Sequence, residues 1–447
     1  MKTSHIFHRL AGLPGRRTGG VALFMTTVLL VCLLLATPVV QLSAVDGDWG
    51  VTLDTEGTAR VTNDDWDDPD TTLAFTAALW GRLFLSDPAT PGSNSYELAA
   101  QGSYTWTDDR PYLFDVDQLR LTGRYPGLLG SQSLLEASAG RFRFADPTAR
   151  VMSHTADGAR LRLRFPSYNI RLDAAYTGLQ LNPNSDIRMT FADLVDEDDD
   201  DEFFGPARVV GIAELAFPGL IGQHSLQLGV TGQYDLRDTK DTETTFNSGY
   251  YTVALSGPLV SDIYYNTSAT LMQAEEENGD SEDFLGLLAI ARLRYFRESF
   301  LFSRATLAGI YASGEQGPFD PFRSISRQSM GTVFSRPLSD LIYGELGYSL
   351  RPFSGSDARS SSSLAGGIQT GLTLRSFFAA TDPGLDGTDG RWYGNELTLS
   401  ISSRPFADLG IGLTAGVFLP VTDEDLGVLG KDSDPQYFGK LELSAAF

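Results

Sequence analysis

Eight arginines recur at short intervals across one stretch of the chain: Arg120, Arg124, Arg141, Arg143, Arg160, Arg162, Arg164 and Arg171. Spacings of two and four put such side chains on one face of a β-strand. A guanidinium is always charged and forks onto carboxylate or phosphate. A wall of them can do two things. It can pair with acids as a structural network, or it can form a basic strip that steers anions along a path. The acids that could pair with it, by the same parity, are Asp173, Glu214, Glu345, Glu396 and Glu442.

Other chemistry is thinly represented. Only His154 and His224 follow residue 44, and they fall at opposite ends of their strands. No Gly-x-Ser-x-Gly elbow, P-loop or paired-histidine motif occurs, so no catalytic residue, cofactor or enzyme activity is expected. The acidic run Asp196–Glu202 matches no twelve-residue calcium loop and reads as a solvated outer loop, so no metal site is assigned.

The arginines must be positioned by strands. In 156–165, Ala159, Leu161, Leu163 and Phe165 form one face and Arg160, Arg162 and Arg164 the other. If the first face meets lipid, the second points inward, because a charge at mid-depth facing lipid costs about 2–4 kcal/mol. The next strand sends Ile170, Leu172 and Tyr176 out and Asn169, Arg171 and Asp173 in. Strand 112–124 sends Leu119, Leu121 and Tyr125 out and Gln118, Arg120 and Arg124 in. Strand 133–144 is expected to send Phe142 and Phe144 out and Arg141 and Arg143 in. Glu136 would then share the outward parity, which requires a bulge or a position near the rim.

The same dyad pattern runs from residue 49 to the end. Its last segment is the clearest: Tyr437, Leu441, Leu443 and Phe447 share one face, and Lys440, Glu442 and Ser444 the other. Such strands are about the length that crosses a bilayer when tilted. A strand of this kind ending in an aromatic residue resembles the terminal strand of bacterial outer-membrane barrels, which the barrel-assembly machinery reads.

Two classes of connection separate the segments. Short ones carry Pro, as in Tyr125-Pro126-Gly127 and Phe217-Pro218-Gly219; long ones are acidic, as in 180–206 and 314–340. Pro lacks a ladder donor and suits turns. The fold class is therefore all-β: a single antiparallel transmembrane β-barrel of about eighteen strands, with sixteen or twenty as alternatives. Short turns would face the periplasm and long acidic loops the outside. Segment 314–340 is read as one long loop, because a barrel strand at 325–336 would break the alternation. It and loop 180–206 are the two that could fold inward and narrow the lumen.

Residues 1–44 run basic, then apolar, then small, the order of a signal peptide. The barrel would occupy 45–447. Removing the leader's four basic residues from the 34 Lys and Arg leaves 30 against 57 Asp and Glu, a net charge of −27. That excess excludes nucleic acid as a partner. The single Cys32 lies in the leader, which excludes disulfides and thiolate metal sites beyond it.

The Gly-Arg-Phe-Arg segment 140–143 and the following Asp157-Gly158-Ala159-Arg160-Leu161 resemble the corresponding stretch of alginate-export and related porin-like barrels. The resemblance covers 140–164. It implies eighteen strands, an arginine-rich anion-conducting lumen, and Arg141, Arg160 and Arg162 in the conducting path. The expected function is passive passage of small or polymeric solutes, anions favoured, in the bacterial outer membrane. Its partners would be outer-membrane lipids, the assembly machinery and anionic solutes. The alternative is a surface barrel with a closed lumen, working through its loops as an adhesin or structural protein.

Overall fold

The computed structural model describes residues 46–447 except 63–68, 85–93, 109, 111, 198, 200–201, 238–243, 279, 355–366, 382–389, 424–425 and 430–432. The leader reading of 1–44 lies outside the described residues. The strands, in chain order, are β1 (Asp46–Val61), β2 (Asp70–Phe84), β3 (Ser95–Thr107), β4 (Leu113–Pro126), β5 (Leu134–Ala145), β6 (Ser153–Arg164), β7 (Asn169–Tyr176), β8 (Arg208–Ile221), β9 (His224–Asp235), β10 (Thr245–Val260), β11 (Ile263–Asn278), β12 (Asp280–Arg297), β13 (Ser303–Ala312), β14 (Ser329–Met330), β15 (Arg336–Pro337), β16 (Leu341–Leu350), β17 (Gln369–Phe378), β18 (Trp392–Phe406), β19 (Leu409–Pro420) and β20 (Gln436–Ala446). A short helix, α1 (Phe191–Glu197), lies between β7 and β8.

Eighteen of these strands form one antiparallel sheet, and β1 pairs with both β2 and β20, so the sheet closes. Closure removes the free edge, whose unpaired N–H and C=O groups could not be satisfied in lipid. The seam runs from Thr52↔Ala446 to Val61↔Tyr437. Phe447 extends it by exchanging backbone hydrogen bonds with Val51 at 2.9 and 3.0 Å. A Cβ on Gly50 would fall 2.6 Å from the Phe447 carbonyl oxygen, so the glycine lets the terminus seat.

Most strand edges fall within a few residues of the sequence expectation. β12 starts at Asp280, where alternation alone places a start at 284, and β13 at Ser303, where alternation places one at 299, because Leu301 and Phe302 turn in the left-handed region at φ 52° and 50°. The strand expected over 361–377 is seen from Gln369 on, its residues 361–366 lying outside the described residues. The ribbon β14–β15 sits inside the long 313–340 connection and is no part of the barrel wall.

Alternation sets the faces. Leu119, Leu121, Leu172, Val230, Val253, Leu307, Leu346, Leu399 and Leu441 are exposed on the outer face, forming an apolar belt. The inner face is not uniformly polar, contrary to the expected charged lining. Towards the loop end of the barrel, Phe142, Phe144, Val210, Ile212, Phe246, Leu288, Ile290, Phe377 and Phe418 point inward and are buried. They join Met152, Ile187, Met189, Phe322, Ile325, Val333 and Phe334 from three inward-folded connections in one continuous apolar cluster. Strands that bury both faces read as unbroken apolar runs, as Leu287-Leu288-Ala289-Ile290 does.

Candidate functional site: the barrel lumen

Cross-strand register fixes where each arginine goes. Arg160 lies opposite Ser138 on one side and Asp173 on the other, and Arg162 opposite Glu136 and Arg171. Asp173 is buried and Leu172 beside it is exposed, so this parity faces the lumen. Arg120, Arg124, Arg160, Arg162, Arg164 and Arg171 share it.

Arg141 and Arg143 do not, which corrects the expectation for β5. Glu136, Ser138, Phe142 and Phe144 form its inner parity and are all buried. Phe142 and Phe144 stack on each other at 4.3 Å. The Arg160 guanidinium lies over their rings at 4.9 and 5.1 Å. The physical reason is the apolar cluster: these phenyl rings meet the folded-in loops, not lipid. No bulge is needed for Glu136. Arg141 and Arg143 fall on the opposite parity near the loop end, where β4 and β5 stop pairing at Leu119↔Arg141. There Arg141 binds Asp157 at 2.8 Å, Asp115 at 3.4 Å and the Leu179 carbonyl at 2.8 Å. Arg143 donates to the Ser153 hydroxyl at 2.8 Å.

The inward arginines are largely neutralised. Arg120 and Arg124 share Glu97, at 3.5 and 2.9 Å, and Arg124 and Arg162 share Glu136, at 3.2 and 3.5 Å. Arg160 binds Asp173 at 2.8 Å, and Arg171 binds Glu214 at 2.8 Å with Asp173 at 3.7 Å. Of the proposed counter-acids, Asp173 and Glu214 serve this wall. Glu345 and Glu396 instead bind Arg375, at 3.2 and 2.5 Å. Glu442 faces Glu56 across the seam, and Lys440 bridges the two at 2.9 Å each.

A second set of cations has no such partners. Arg292 and Arg294 on β12 and Arg304 on β13 have lumen parity, with Leu293, Tyr295 and Leu307 exposed outside. Arg292 Nε is buried without a hydrogen-bond partner, and none of the three makes an ion pair among the described residues. Their neighbours in register, Asn266, Tyr264 and Thr306, are uncharged. Arg150 comes from the 146–152 connection and makes no ion pair among the described residues either; burial and then the charge of Arg292 push its guanidinium below its ordinary range. The sequence signal for this set is the Ala-Arg-Leu-Arg-Tyr alternation of 291–295, like that of 160–164, but with uncharged residues opposite the arginines in register.

Three connections enter the lumen from the loop end. Segment 146–152 places Pro147 against Gly229 of β9. Its Val151 carbonyl accepts hydrogen bonds from the Ile325 and Ser326 amides at 2.8 and 3.2 Å. Segment 177–207 joins at Ile187↔Ser326 and by the Arg327 amide to the Asp186 carbonyl at 2.6 Å. It is locked to the wall through Asp193, which with Asp235 binds Arg208 and Arg237 at 2.6–2.9 Å. Burial pushes the Asp193 carboxyl up, but the two arginines outweigh it and hold it below the usual carboxylate range. Both segments expected as candidates to fold inward pack on each other and on inward-facing wall residues. Among the described residues, the apolar cluster includes none from β1–β4, leaving that sector the polar part of the bore: Asp54, Glu56, Gln101, Ser103 and Arg120 face it. A cavity of about 790 Å³ lies at the short-turn end, lined by Asp54, Glu56, Glu442, Arg351 and Arg404 among others. His154 is buried under the loops and His224 lies at the other end of the barrel against Tyr265, so the histidines share no site.

No family model and no curated protein matches the chain. Solved structures do. OpdO of Pseudomonas aeruginosa is 15% identical with a TM-score of 0.55, covering 90% of this chain and 97% of that one. OccK11 (OpdR) of the same organism is 12% identical with a TM-score of 0.54, covering 90% and 96%. The outer membrane protein OprD of Pseudomonas aeruginosa is 15% identical with a TM-score of 0.53, covering 90% and 93%. At these identities the likeness is one of fold. The chain has the closed eighteen-stranded barrel of these porins. A closed sheet with an apolar outer belt is a bilayer structure, and its place is the bacterial outer membrane.

Proposed function

We propose that the barrel is a passive channel for small solutes across the outer membrane, that it favours anions, and that it is not an enzyme. One observation carries the anion preference: Arg292, Arg294 and Arg304 line one patch of the lumen and make no ion pair among the described residues. In a confined bore, fixed charge of one sign concentrates ions of the other. The β4–β7 strip contributes less, because its arginines are spent on Glu97, Glu136, Asp173 and Glu214. Polymeric solutes, alginate among them, fit this reading poorly, since three connections fill much of the outer half. The terminal strand Tyr437–Phe447, with Leu441 and Leu443 on its outer face, is the segment we assign to recognition by the assembly machinery.

The apolar cluster also favours a second reading, a surface barrel with a closed lumen. Planar-bilayer recording of the Arg292→Glu/Arg294→Glu variant separates the two. The channel reading expects wild type to conduct and the variant to lose or invert its anion preference. Absence of conductance in both supports the closed barrel. An unchanged preference in the variant removes the arginine patch from the path.

A further inference from the structure

Alternation alone would turn Val260 and Phe406 into the lumen, because Val253 and Leu255 hold the outward parity on β10 and Leu399 and Ile401 hold it on β18. One extra residue in each strand reverses this. β10 shifts register between Pro258 and Val260, and β18 between Ser403 and Phe406. Such a bulge re-aims the side chains beyond it. Val260 then lies opposite Ile263, which also pairs with the outward Tyr295, and Phe406 lies opposite Leu409, which shares parity with the outward Leu413. At the β8–β9 turn, Ile221 reaches the same face opposite His224, which shares parity with the exposed Leu228. All three tips are exposed, as are Leu128, Leu129 and Phe300 at the β4–β5 and β12–β13 turns. Water around these turns would leave their apolar tips uncovered.

We propose that these short turns are seated in the lipid leaflet beside them, not in periplasmic water, with their apolar tips covered by phospholipid acyl chains. Three features support it. The tips continue the apolar outer belt, which already meets lipid, and a bulge keeps two of them on that face. They occur at turns spread from β4–β5 round to β18–β19, which a leaflet surrounds and a single protein partner would cover only in part. Polar groups among them are satisfied on each other, as lipid requires. His224 Nδ1 and the Tyr265 hydroxyl share a hydrogen bond at 3.1 Å across Gly257, whose Cβ would fall 2.5 Å from that nitrogen. Val260 lies about 7 Å beyond this pair along the strand, two residues past Tyr265 in register, so apolar surface extends past the pair. The seat is independent of whether the lumen conducts.

Site-directed fluorescence on the full barrel tests this. Val260→Cys and Phe406→Cys place a label at the two bulged tips, and Glu277→Cys, exposed in the β11–β12 hairpin at the loop end, is the aqueous control. Residues 45–447 hold no cysteine of their own to interfere. Each variant is labelled with bimane, checked for folding by its heat-modifiable band, and placed in phosphatidylcholine vesicles. Lipid carrying a doxyl group near the top of its acyl chain should quench the Val260 and Phe406 labels at least threefold more than the Glu277 label. Iodide on both sides of the membrane should quench them at least threefold less. Leu128→Cys and Ile221→Cys repeat the reading at two further turns should a bulge variant fail to fold. Tip labels quenched by iodide as strongly as the control, and not by doxyl lipid, overturn the lipid seat. Protection from iodide that grows with the protein-to-lipid ratio, without doxyl quenching, assigns the tips to contact between copies of the chain and also overturns it.

Discussion

Replacing Arg160 with methionine separates a structural arginine from a conducting one. Arg160 gives Nε and Nη2 to Asp173 at 2.8 and 2.9 Å, and the Asp173 side chain is 0% exposed. Removing one partner of a buried ion pair costs about 3–5 kcal/mol, because the other charge stays behind unpaired. Arg171 remains 3.7 Å from Asp173 and takes over part of the compensation. Methionine keeps the Phe142 and Phe144 rings covered, so the packing loss is small. The expectation is therefore the lower end, about 3 kcal/mol. Refolded barrel in detergent, titrated with urea and read by its heat-modifiable band on a gel, gives the number. Adding Asp173→Asn to the variant should return at least half of the loss, since the pair is then removed as a unit. Anion preference should hardly move. A variant as stable as wild type that loses anion preference would refute the assignment of this strip to structure.

Other consequences follow from the same geometry. Gly140→Ala should destabilise the barrel by about 1–3 kcal/mol in the same urea titration, from a residue at φ +119° whose Cβ would meet the Leu119 carbonyl at 2.0 Å. The Asp193 lock has a folded-state carboxyl held below its ordinary range, so its contribution is present above that range and is lost as pH falls through the lowered value. Protease cleavage of segment 177–207 should therefore stay slow at neutral and mildly acidic pH and accelerate only in stronger acid. Asp193→Asn should make that cleavage fast already at neutral pH.

How much of this the sequence disclosed depends on the kind of interaction. The strands and their number were legible because alternation, Pro-bearing turns and acidic loops are local signals. The seam was legible too, since the final strand shows its two faces plainly. The β5 faces read the wrong way round in the sequence because alternation of Phe and Arg alone sends the rings to lipid and Arg141 and Arg143 to the lumen. Glu136 and Ser138, which share parity with Phe142 and Phe144, were the signal that those rings point inward. The apolar filling of the lumen was hidden, because whether an inward residue meets water or a loop is decided by segments far away in the chain. Ile325 meeting Val151, or Val333 meeting Gly416, leaves no periodic trace. The neutralisation of the strip is likewise a matter of register, which sets Glu97 within reach of Arg124 and Glu136 within reach of Arg162.

The central claim is that ions pass through this lumen and that its unpaired arginines choose among them. The reversal potential of the wild-type barrel in a planar bilayer under a potassium chloride gradient measures both at once. A stable conductance with a reversal potential of the sign set by chloride is the predicted result. A conducting barrel whose reversal potential takes the sign set by potassium contradicts the account.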